Sequence, residues 1–83
     1  MMRRIDFYTR ERCHLCHDAL AELERVRERH PFELAVCDLD REASDAKRAA
    51  YDDQVPVVEL DGRKIMKYRV NAERLLRLLT LDA

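Results

Sequence analysis

Cys13-His14-Leu15-Cys16 is the stretch whose residue types and spacing point to covalent chemistry. Two thiols three positions apart can trade electrons as a dithiol/disulfide pair, or form half of a metal site. A strand-like run ends just before them and a helical period starts at them, which sets Cys13 at a helix N-terminus. Unpaired backbone N–H groups and the positive end of the helix dipole favour an anion there, and Arg12 and a protonated His14 add to the effect. The Cys13 thiol is therefore expected below the ~8.5 of a free cysteine, near ~6. This raises the thiolate fraction at pH 7 roughly thirtyfold, while a Brønsted coefficient of ~0.45 removes about thirteenfold in nucleophilicity. Attack gains only about twofold on balance. The larger effect is on departure: a stabilised Cys13 thiolate leaves readily when Cys16 attacks a mixed disulfide, and it makes the couple more oxidising. Cys16, one turn deeper and on an apolar stripe, is expected to be the shielded resolving thiol.

Other readings of the same residues stand beside this one. Cys13-His14-Leu15-Cys16-His17 fits the C-x-x-C-H haem-attachment pattern, with Met66 imaginable as an axial ligand. Met66 lies in a strand pattern, however, and reads more simply as core, and His17 as a helix-surface residue. Cys13, Cys16, His17 and Cys37 would supply four ligands for zinc, although only one C-x-x-C pair is present. Cys37 falls on a strand, where a free cysteine commonly packs as a small hydrophobe. A non-catalytic adaptor is the third alternative.

The surrounding periodicities supply the elements that must position the pair. Ile5-Asp6-Phe7-Tyr8 reads as a first strand, stopped by Thr9-Arg10-Glu11-Arg12. Cys16, Ala19, Leu20, Leu23 and Val26 then mark one stripe of a helix that His30-Pro31 ends, because the residue before proline leaves the α region. Phe32, Leu34 and Val36 alternate with Ala35, Cys37 and Leu39, as in a strand covered on both faces. Asp40 is expected to cap a short helix over Arg41 to Tyr51, with Ala43, Ala46, Ala50 and Tyr51 as its inner stripe. Val55 to Leu60 is strand-like, with Pro56 at its start. Asp61-Gly62 signals a hairpin into Lys64 to Tyr68. Asn71 caps a last helix that buries Ala72, Leu75, Leu76 and Leu79, with Val70 and Leu75 as a hydrophobic staple. The order is βαβαββα, an α/β chain with a four-stranded mixed sheet flanked by three helices.

Composition bounds the function. Eighty-three residues suit one domain, 1–83, with a radius of gyration of roughly 12 Å. The 16 Lys+Arg against 17 Asp+Glu leave a formal charge of −1, which gives no basic surplus for binding nucleic acid. The basic start Met1-Met2-Arg3-Arg4 is interrupted by Asp6 and Arg10 before an apolar region forms, and no run is long enough for a membrane span. A cytoplasmic, reducing setting is expected, in which an isolated Cys pair is catalytic or metal-binding rather than structural.

With these residues placed, the chain resembles a small glutaredoxin-like protein of the thioredoxin-fold superfamily. The resemblance rests on the first strand, the Cys13-x-x-Cys16 turn into a helix, Val55-Pro56 at the third strand and Asp61-Gly62 at the hairpin. It implies a thiol–disulfide oxidoreductase with Cys13 and Cys16 as catalytic residues, no resident cofactor or metal, and glutathione as a candidate co-substrate. Partners would be a disulfide-containing protein or a glutathione-type small thiol, and a recycling dithiol reductase. The resemblance also implies that Pro56 is a cis-proline beside the redox pair, and that Val55 offers backbone hydrogen bonds to substrate. Arg10 corresponds to the family's basic residue three positions before the first cysteine. His14, Arg69 and Asn71 complete the expected substrate-binding set, the last two as a charge and a helix start that could meet a carboxylate. The chain departs from typical members in having His14-Leu15 for Pro-Tyr, and Tyr68-Arg69-Val70-Asn71 where a Gly-Gly turn is usual.

Overall fold

The computed structural model describes residues 2–81; Met1, at the head of the basic start, lies outside them. Its elements are β1 (Arg4–Thr9), α1 (His14–Arg29), β2 (Glu33–Asp38), α2 (Asp45–Tyr51), β3 (Val57–Leu60), β4 (Arg63–Lys67) and α3 (Ala72–Leu81). They form one mixed sheet in the order β2-β1-β3-β4, with β1 parallel to β2 and antiparallel to β3, and β3 antiparallel to β4. The parallel pair requires a crossover, which α1 supplies. The radius of gyration is 12.1 Å.

Strand alternation assigns the two faces. Ile5 and Phe7 of β1, Val58 and Leu60 of β3 and Met66 of β4 pack with Cys16, Ala19, Leu23 and Val26 of α1 and Leu75 and Leu79 of α3. The opposite face carries a smaller cluster of Leu39, Tyr51 and Val57 beside α2. At the end of α1 the His30 N–H still bonds the Val26 carbonyl at 2.8 Å, and Pro31 stops the helix. Asp61 and Gly62 turn β3 into β4 with φ of 49° and 86°, the paired positive angles of a two-residue hairpin. Asn71 caps α3 through Oδ1, which accepts from the Arg74 N–H at 3.0 Å, and Val70 and Leu75 both join the core.

Three expectations need correction. Asp40 does not cap the second helix: Ser44 does, its Oγ accepting from the Lys47 N–H at 3.1 Å, and α2 begins at Asp45. The preceding turn is held by Asp38 Oδ1, which accepts from the Asp40 and Arg41 N–H groups. The inner face of α2 is not the alanine stripe either; Ala46 and Ala50 are not buried, and Lys47 and Tyr51 face the sheet because a carboxylate, Glu59, waits there. Finally, β2 is not covered on both faces: Leu34, Ala35 and Cys37 are only half-buried and Val36 is 49% exposed, and the strand is also an edge of the sheet. Alternation assigns side chains to two faces but says nothing about whether another element covers each of them.

Candidate active site

The loop after β1 turns through Arg12, whose φ of 60° lies in the left-handed region, and delivers Cys13 as the N-cap of α1. Cys13 and Cys16 are joined as a disulfide, with Cα atoms 5.2 Å apart. Cys13 Sγ also accepts from the Cys16 N–H at 3.1 Å, one of the donors a helix start leaves unpaired. Cys16 is 4% exposed and packed in the main core, while Cys13 is half-buried at its margin. The helical stripe explains the difference, since Cys16 lies in line with Ala19 and Leu23 whereas the cap residue precedes it.

Sheet register brings the remaining expected residues to the same end. Tyr8 pairs with Val57 and Val57 with Lys67, so the start of β3 and the end of β4 lie alongside the end of β1. The Val55–Pro56 peptide is cis; Pro56 is buried, and its carbonyl accepts from the Tyr68 N–H at 2.8 Å. Val55 is half-buried and touches both hydrophobic clusters. Tyr68 leaves the strand with φ of 68°, and Arg69 and Val70 follow along the side of α1. Between that loop and Leu15, His17, Ala21 and Arg25 runs an open groove of about 550 Å³. His14 and Arg69 are exposed, and Asn71 has its side chain engaged as a cap.

Arg10 sits on the other flank. Its Nε and Nη2 donate to Asp40 at 2.9 Å, Nη2 also to the Asp52 carboxylate at 2.9 Å, and Nη1 to the Asp52 carbonyl at 2.7 Å. One guanidinium thus ties the loop after β1 to the loop after β2 and the end of α2. Arg41 and Glu11 add a second bridge there at 2.8 Å.

Cys37 is apart from the pair. It lies opposite Tyr8 on β2, half-buried rather than fully so, and its thiol is pushed up first by burial and then by Glu42 and Asp38. Among the described residues, no three His, Cys, Asp or Glu side chains are grouped to hold a metal ion. No helix among them is long and apolar enough to cross a membrane.

Sequence reading missed Glu59, a carboxylate 3% exposed on the α2 face. It is ion-paired with Lys47, accepts from the Tyr51 hydroxyl at 2.7 Å and from the Tyr8 hydroxyl at 3.4 Å. Burial, with the neighbouring carboxylate, raises both tyrosines above their ordinary value, and the hydrogen bond to Glu59 raises Lys47. The available signal was that Glu59 shares a period-two face with Val57, while Lys47 and Tyr51 share a helix face at i,i+4.

A four-stranded mixed sheet with a C-x-x-C disulfide at the start of the helix after its first strand is the arrangement of thioredoxin-fold oxidoreductases. The glutaredoxin-like domain (DUF836) matches residues 4–80, and the chain belongs to that family. An uncharacterized protein of Mycobacterium tuberculosis is 31% identical over 75 residues, spanning 87% of this chain and 77% of that one. The solution structure of protein Ne2328 from Nitrosomonas europaea superposes with a TM-score of 0.83 at 27% identity, over 96% of this chain and 94% of the other. A thioredoxin from Halobacterium salinarum shares the fold, with a TM-score of 0.67 at 21% identity over 93% and 71% of the two chains.

Proposed function

We propose that this chain, as a single domain spanning 1–83, is a glutaredoxin-like thiol–disulfide oxidoreductase of a reducing, cytoplasmic setting. The observation that carries this is the Cys13–Cys16 disulfide at the N-terminus of α1, one sulfur at the surface margin and the other in the core. In the reduced protein the Cys13 thiolate attacks one sulfur of a substrate disulfide, forms a mixed disulfide and expels the first substrate thiolate, which takes a proton from solvent. Cys16 then gives up its proton and attacks Cys13 Sγ. The second substrate thiolate leaves and is protonated, and the Cys13–Cys16 disulfide remains. Two electrons and two protons have reached the substrate. A dithiol reductase or glutathione returns the pair to its reduced state by the reverse exchange.

The Cys16 N–H at the helix start, which donates to Cys13 Sγ, supports the role of Cys13 as attacking and leaving sulfur. Val55 and Pro56 form one wall of the proposed substrate site, His14 stands at its lip, and Arg69 and Asn71 lie across it. Arg10, held by Asp40 and Asp52, sets the charge of the opposite flank.

The test is a stoichiometric one. Fully reduced protein mixed with excess disulfide substrate should release two substrate thiols per chain. Cys16→Ser should release one and remain as a mixed disulfide visible by mass, and Cys13→Ser should release none. A Cys13→Ser variant that releases thiol as fast as the parent would end the reading.

A further inference from the structure

The end of the sheet that carries the disulfide is divided in charge. On the β2–α2 flank, Arg10 and Arg41 are engaged by Asp40, Asp52 and Glu11. In the turn before Cys13 the side chain of Arg12, and on the β4–α3 flank that of Arg69, are exposed and meet no acceptor among the described residues, while Lys67 at the end of β4 has only the Tyr68 ring, 5.3 Å away. Of the carboxylates along the groove, Glu22 is paired with Arg25, which leaves Asp18 as the sole unpaired one among the described residues. Leu15 and Tyr68, 40% and 42% exposed, add large apolar surface beside these cations.

The groove's length decides between a small thiol and a longer chain. Leu15 and Arg25 both line it. The ten-residue step from Leu15 to Arg25 rises about 15 Å along the helix. An extended chain needs about four to five residues to cover that distance.

We propose that the groove lined by α1, Arg69 and Val70, together with the adjoining exposed Lys67 and Tyr68, docks the polypeptide segment flanking a substrate disulfide, reading acidic residues through Lys67 and Arg69 and an apolar side chain through Leu15 and Tyr68. This deepens the oxidoreductase reading and rests on it. Unpaired cations beside a reacting centre accelerate encounter with an acidic partner and disfavour a basic one, and the effect is screened by salt. A chain with a net charge of −1 repels neither partner as a whole, so the discrimination comes from this flank.

The experiment uses two cysteine peptides, identical except that the flanking residues are acidic in one and basic in the other, each activated as a 2-thiopyridyl disulfide. An uncharged alkyl 2-thiopyridyl disulfide serves as reference. With reduced wild-type protein at low salt, the acidic peptide should react about tenfold faster than the basic one, and the gap should close at high salt. In the double variant Lys67→Glu/Arg69→Glu the order should reverse; both positions are exposed, and Arg12 is left intact because it adjoins Cys13. Equal rates for the two peptides, with the reference still consumed, would overturn the docking surface and leave the oxidoreductase standing. Failure to react even with the reference would remove both.

Discussion

Cys13 and Cys37 illustrate how environment separates chemically identical side chains. Cys13 accepts from the Cys16 N–H at a helix start, whereas the Cys37 thiol is raised by its burial in the strand and then by the nearby Glu42 and Asp38. Iodoacetamide added to the reduced protein at neutral pH should therefore modify Cys13 well before Cys37, as followed by mass of the peptides against time. Equal rates would show that the helix start does not activate the thiol. At this scale, the residues legible in the sequence were those whose role is local. A cysteine pair at a change of period, an Asn before a helix and a Gly after an Asp each announce themselves within a few positions. Glu59 was not legible, because its partners come from α2 and β1, and only folding brings them together. The positive φ of Tyr68 was equally hidden, since nothing in a tyrosine announces a left-handed residue.

Among the elements, α2 is held in an unusual way for a helix. It buries Tyr51 alone, and a carboxylate beneath it bonds both Tyr51 and Lys47. Glu59→Ala would leave the Tyr51 hydroxyl without its partner, at a cost of about 2 kcal/mol, or a fall in Tm of about 10 °C for a chain of this size. Hydrogen exchange should show the loss concentrated in α2 amides, and uniform loss across the sheet would contradict the anchoring role. The hairpin gives a second measure. A methyl group at Gly62 would meet nothing within 4 Å, but φ is +86°, so Gly62→Ala should cost about 1 kcal/mol through backbone strain alone. Chemical denaturation would read this directly. The order of elements was legible because each has a strong period or a turn signal. The edge position of β2 was not, since strand pairing is decided between segments far apart in sequence.

For the molecule as a whole, stability should form a plateau in pH. Asp61 is held below its ordinary value of 3.8, chiefly by the Arg4 N–H and then by Arg3, so its stabilising effect is complete above that value and disappears as pH falls through the lowered one. Tyr8 and Tyr51 are raised above 10.0 and Lys47 above 10.5, so their effect is complete below those values and disappears as pH rises through the raised ones. Thermal melting from acid to alkaline buffers should fall off on both sides, and Glu59→Gln should weaken the alkaline descent in part, since the carboxylate that raises Lys47 and adds to burial in raising the two tyrosines is gone.

The bare margin of β2 has a colloidal consequence. Leu34-Ala35-Val36-Cys37 offers a template onto which another chain could add, guarded only at its ends, with no lysine or proline within the strand to discourage it. Its sentries are the terminal Glu33 and Asp38, which would oppose each other if two copies met antiparallel in register. Concentrated Glu33→Gln/Asp38→Asn protein should accordingly turn turbid where the parent stays clear, and adding Val36→Lys should keep it clear.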